Sequence, residues 1–110
     1  MTDLFDFDFS SLRAVEPAEG ESIEERFQRF HEENPVVYRL FCRFVGELVR
    51  AGRKRFSADA VLHRIRWETA IQTTDEKFKI NDHYSSRYAR LWLDENPGHG
   101  SFFELRKLRS

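Results

Sequence analysis

The residues whose types most readily do chemistry are four histidines, His31, His63, His83 and His99, and one cysteine, Cys42. Histidine ligands to a metal favour i, i+4 pairs or a short shared loop, and no two of these four are so placed. One cysteine excludes an intramolecular disulfide framework and a cysteine-rich zinc site. As a nucleophile it would need its thiolate stabilised and a base within reach. Arg39 and Arg43 are close in sequence to Cys42, but no spacing argument brings a histidine to it. The "NPGHG" stretch at 96–100 is a turn, because no lysine-serine signature follows it to make a phosphate-binding loop. No catalytic residue, metal or cofactor is expected.

The stretch "FKINDHYSSRYARLW", Phe78 to Trp92, carries a different chemistry. On a helix of about 100° per residue, Tyr84, Tyr88, Leu91 and Trp92 share one arc and form a stripe to be buried. His83, Ser86, Arg87, Arg90 and Asp94 fall opposite. Arginine offers a bidentate fork to guanine or phosphate, and serine or histidine offers shorter hydrogen bonds. The free N–H groups at the start of such a helix also suit a phosphate. The solvated-face reading stands beside this one, since Asp94 follows Arg90 at i+4 and an exposed pair contributes only about 0.3–0.5 kcal/mol.

The elements that must position this helix are legible from caps and periods. Ser22 with Glu25 is a capping-box pattern ahead of Ile23, Phe27 and Phe30, predicting a helix to about Glu33. Asn34 as cap, Pro35 at the first helical position and Gly52 as stop bound a second helix, 35–51. Val37, Leu40, Phe41, Phe44, Val45 and Leu48 line its apolar face, with Arg39, Arg43 and Arg50 on a wet one. "RKRF" at 53–56 reads as a short strand. Ser57 then caps a helix to 72 with two apolar faces: Ala58, Val61, Leu62, Ile65 and Thr69 on one, Ala60, Trp67 and Ile71 on the other. That pattern predicts a central helix packed on both sides. Asn81 or Asp82 caps the helix to 94, and "SFFELRKLR" suits a C-terminal strand over 102–107.

With 110 residues the chain fits one domain, and its 15% aromatic content, eleven phenylalanines included, supplies core material. No apolar run approaches the roughly 20 residues of a membrane span, and the first residues are acidic where a signal peptide would be basic. With the lone cysteine this predicts a cytoplasmic protein with no membrane contact. Charge is segregated along the sequence: residues 1–25 hold eight acids and one base, and residues 26–110 hold 17 bases and 11 acids. Acidic arm and basic body suggest an interaction tail joined to a nucleic-acid surface. The expected division is an acidic aromatic arm, 1–21, and one domain, 22–110. In "FDFDF", Phe5, Phe7 and Phe9 alternate with Asp6 and Asp8, a pattern suited to docking on the domain's own core or to binding a partner protein.

The order helix, short strand, helix, turn, helix, strand over residues 35–110 resembles the winged helix-turn-helix family. The resemblance lies in element order, and implies a mainly α fold of three to four helices with short β-strands. It further implies non-enzymatic duplex DNA binding, as in transcription regulation. Ser86, Arg87 and Arg90 would then face bases, with His83 a further DNA contact on the same face, and Arg53, Lys54, Arg55, Arg106, Lys107 and Arg109 would touch phosphates. A homodimer would suit paired half-sites. The compact plan with an acidic arm also resembles small phage and prophage proteins, which implies the alternative of a module that binds or inhibits a host protein through its arm.

Overall fold

The computed structural model describes residues 7–105. Phe5, Asp6, Arg106, Lys107 and Arg109 lie outside that range. Four helices make up the body: α1 (Ile23–Glu33), α2 (Pro35–Arg50), α3 (Ala58–Gln72) and α4 (Tyr84–Glu95). Each begins where local chemistry directs. Ser22 Oγ accepts from the Glu25 N–H at 3.1 Å while Glu25 Oε1 accepts from the Ser22 N–H at 3.3 Å, a complete capping box. Ser57 Oγ accepts from Ala60 N–H and starts α3. Asn81 Oδ1 accepts from His83 N–H at 2.8 Å and leads the chain into α4. Helix α2 ends in a Schellman turn: Gly52, at φ +88°, donates to Val49 O, and Arg53 donates to Leu48 O. Only glycine adopts that φ without strain.

Asn34 departs from its expected role. Its side chain makes no cap bond; it is fully buried and clasps Arg13, accepting from its N–H at 2.6 Å and donating to its C=O at 2.9 Å. The clasp ties the arm to the α1–α2 junction. Upstream, Asp8 caps a 3-10 turn, Phe9–Ser11, which sends Phe9 and then Leu12 into the core.

The core is an aromatic cluster centred on Tyr88. Phe27 and Phe41 pack on its ring with centroids 4.9 and 5.7 Å away. Tyr84 and Trp92 are buried on either side along α4, as the sequence predicts, while Leu91 is only half-buried. Beyond α4, Pro97 starts a further 3-10 turn, and Phe102 and Phe103 close the core against Trp92 and Phe41.

Two expectations are corrected here. No described residue is in a strand. Segment 53–56 is irregular and touches 102–105 through one backbone bond, Phe56 N–H to Phe102 O at 3.1 Å. Phe102 and Phe103 are adjacent and both buried, and both enter the core from bends with no strand backbone. Helix α3 is covered on one side only: Val61, Leu62, Ile65 and Thr69 are buried, but Trp67 is 70% and Ile71 63% exposed. The result is a slab of 39 × 36 × 19 Å, about two helix diameters thick, with broad outer faces.

Candidate nucleic-acid interface

Helix α4 places its polar residues unlike a free recognition helix. Arg87 is 8% exposed; its Nε donates to Glu24 Oε2 at 2.8 Å and its Nη1 to the His83 carbonyl at 3.1 Å. The N-terminal turn of α1 lies over this part of α4, so the guanidinium clamps two helices. Glu24 is held below the usual glutamate value, first by a hydrogen bond from Gln28 and then by Arg87, with Arg90 adding to the field against the cost of partial burial. Arg90 is half-buried. Exposed His83 and half-buried Ser86 join Arg55 and Phe56 along a groove between the starts of α3 and α4. The same groove carries Asp59, Asp82 and Glu104, with Ser85 Oγ bonded to Asp59 and Arg66 paired with Asp82. Its charge is balanced.

One acid of the arm, Glu21, is paired with bases of α1. Glu21 takes two hydrogen bonds from Arg29, at 2.9 and 2.8 Å, and lies 3.5 Å from Arg26. Led by the Arg29 hydrogen bonds, this holds its carboxyl at about 2. Acid and base that are apart in sequence thus neutralise each other in space around α1.

A different surface keeps its positive charge. From Pro35 to Phe56 the chain has six bases and one acid, Glu47. Arg39, Arg43 and Arg50 recur at i, i+4 and i+11 on the outer side of α2, with Gly46 between the last two. The Arg50 guanidinium folds back over Gly46 so closely that a Cβ there would lie 3.3 Å from Nη1. The Schellman turn then carries Arg53, Lys54 and Arg55 onward, all exposed. The one acid, Glu47, meets Arg64 of α3 at 3.5 Å, and Glu104 lies 3.9 Å from Arg55. Arg43 is half-buried, its guanidinium 5.9 Å from the Phe7 ring centre, and its Nη1 has no hydrogen-bond partner among the described residues. Sequence reading treated this row as an ordinary wet face; the six-to-one count of bases over acids was the available signal.

The outer face of α3 adjoins the row. Arg64 lies over the Phe44 ring of α2 at 4.1 Å, so that flank of α3 faces α2. On the opposite flank Asp59 reaches Ser85 of α4 and Arg66 reaches Asp82 in the turn that leads into it. Trp67 and Ile71, between the flanks, point outward.

Cys42 and His31 are placed among packed side chains. Cys42 is half-buried and burial pushes its thiol up, away from the thiolate. His31 stacks on Phe27, its ring centre 5.5 Å from that of Tyr38 and 6.0 Å from that of Tyr88. Among the described residues no group of three or more His, Cys, Asp or Glu side chains is placed to hold a metal ion, and no helix is long and apolar enough to cross a membrane. Comparison with protein-family models, curated proteins and solved structures gives no match.

Proposed function

We propose that this protein binds DNA without catalysis, gripping the phosphate backbone with the outer row of α2 and the loop that follows. The observation that carries the reading is the run Arg39, Arg43, Arg50, Arg53, Lys54, Arg55, whose single interrupting acid is turned toward Arg64. Along a helix rising 1.5 Å per residue, Arg39 to Arg50 spans about 16 Å. One DNA strand presents about five phosphates over that axial length. Gly46 supports the reading because its missing side chain lets the Arg50 guanidinium lie back along the row, between Arg43 and the 53–55 loop.

Within the winged-helix resemblance, this moves the contact from α4 to the helix and loop before α3. Arg87 has no place in it, because its guanidinium is committed to Glu24 and His83. His83, Ser86 and Arg90 remain secondary contacts, beside a charge-balanced groove. The rival use of the arm as a partner-binding peptide is weakened by Phe9, which is already buried in this chain's own core.

The test is fluorescence anisotropy of a labelled random-sequence duplex across roughly 50–200 mM salt. Five exposed contacts from the row predict a log–log slope of about −4 to −5, at about −0.9 per phosphate neutralised. No binding at the lowest salt would end the proposal.

A further inference from the structure

Trp67 is 70% exposed and Ile71, one turn later, 63%, on a helix whose other side is fully packed. Large apolar side chains side by side in water mark a surface that binds something. The charge around them narrows what. Arg64 flanks the pair on the α2 side, and beyond it runs the row of Arg39, Arg43 and Arg50 with the 53–55 loop. On the α2 side of the pair seven cations meet three acids, Glu47, Glu68 and Glu104, of which the first and last already lie near Arg64 and Arg55. On the other flank Trp67 borders a groove whose four bases and four acids balance, so a polyanion is drawn to the α2 side. Packed helix axes stand about 8–10 Å apart, so the indole and the arginine row are separated by roughly one helix spacing. A polyanion with flat apolar rings beside its charges fits such a face. In duplex DNA those rings are stacked inside; in a single strand they are free.

Building on the phosphate-binding reading above, we infer that this face takes DNA with unpaired bases, one base stacking on the Trp67 indole while its phosphates lie along the α2 arginines. Ile71 forms the apolar floor beside the stacked base. Aromatic platforms of this kind tolerate any base, because every base has a π face, so the preference is for strandedness and not for sequence.

Intrinsic fluorescence reads the contact directly, because the chain has two tryptophans and the other, Trp92, is 5% exposed. A fluorescein-labelled oligothymidylate of roughly 15 nucleotides, near the upper end of common single-strand site sizes, is compared with a duplex of equal length, using the full chain and Trp67→Ala. The Trp67 side chain is mostly in solvent, so the variant keeps its fold, and an unchanged melting curve verifies this. The expected result is quenching of tryptophan emission by the unlabelled single strand, with binding weakened roughly ten-fold in Trp67→Ala and duplex binding changed less than two-fold. Steep salt-dependent binding of both forms, with no quenching and no loss in the variant, would overturn this inference and leave the phosphate-binding proposal standing. Failure to bind either form would remove both. A blue shift of Trp67 emission on concentrating the protein alone, with a larger sedimenting species that Trp67→Ala abolishes, would give the face to a second copy of the chain and also overturn the inference.

Discussion

Asn34 shows how one side chain can fix the path of a whole segment. Its amide accepts from the Arg13 N–H and donates to the Arg13 C=O, so both ends of the group are used on one residue. A buried donor or acceptor left unmade costs about 1–3 kcal/mol, and Asn34→Ala orphans two backbone groups on Arg13. A loss of about 2–3 kcal/mol in urea unfolding is the expected outcome. Asn34→Asp keeps the acceptor and loses the donor, so it should also destabilise; a variant as stable as the parent would show that the clasp is dispensable. His31 and Glu21, together with Glu24, contribute to the acid response. Burial among Phe27, Tyr38 and Tyr88 holds His31 below the ordinary histidine value, against the opposing pull of Glu32 and Glu95. The unfolded chain takes up that proton first, so stability falls as pH drops below about 6.5. Glu21 works lower: held at about 2, it stabilises the fold above the ordinary glutamate value, and that contribution is lost as pH falls from about 4.3 toward 2. Melting temperature against pH should therefore decline in two stages, the first flattened by His31→Gln and the second by Glu21→Gln. If His31→Gln keeps the decline between pH 6.5 and 5, another group is responsible for it.

At the scale of elements, α2 and its Schellman turn form one unit, because Gly52 fixes the direction in which Arg53, Lys54 and Arg55 leave the helix. Arg50→Ala, Arg53→Ala and Lys54→Ala combined should leave folding intact, since these side chains are exposed. The triple variant should reduce the salt slope of DNA binding by nearly 3, at about 0.9 per phosphate contact. An unchanged slope would place the phosphates elsewhere, with the groove beside His83 and Ser86 as the next surface to vary. The four helices themselves were legible in the sequence, because their boundaries are local: a capping box at Ser22, Pro35 at a first turn, Gly52 at a stop, Ser57 at a cap. The buried stripe of α2 followed from its period. What escaped was decided by distant segments. Periodicity gave α3 a second apolar face, but whether another element covers it depends on how many elements there are to pack. Arg87 fell on the polar side of its wheel, yet α1 crosses that side and buries it. Consecutive Phe102 and Phe103 read as strand residues because aromatic content favours strands, whereas both enter the core from irregular backbone.

At the scale of the whole molecule, the slab keeps its opposite charges in different relations. Around α1, Glu21 and Glu24 are paired with Arg29, Arg26 and Arg87, while Glu25, Glu32 and Glu33 stay exposed. Along α2 the cations outnumber their partners, although the chain as a whole has a formal net charge of −1. The arm is the part that can alter this balance. Phe7 packs near Arg43 of the arginine row. Asp6 and Asp3 precede Phe7 in the sequence by one and four residues. The screening length is about 10 Å at 0.1 M ionic strength and about 30 Å at 0.01 M. On the proposed phosphate-binding reading their negative charge is expected to compete with phosphate for the row at low salt and to be increasingly screened at high salt. Asp3→Asn with Asp6→Asn, which leaves Asp8, Phe9 and Leu12 to hold the arm, should tighten DNA binding several-fold at about 50 mM salt. Because the opposing charge is gone, the salt dependence should also steepen, and the two proteins should converge by several hundred millimolar. Titration of both by anisotropy at each salt concentration checks this. Equal affinity at low salt would mean that the arm acts only through Phe9, Leu12 and the Asn34 clasp, as part of the core and not as a shield over the row.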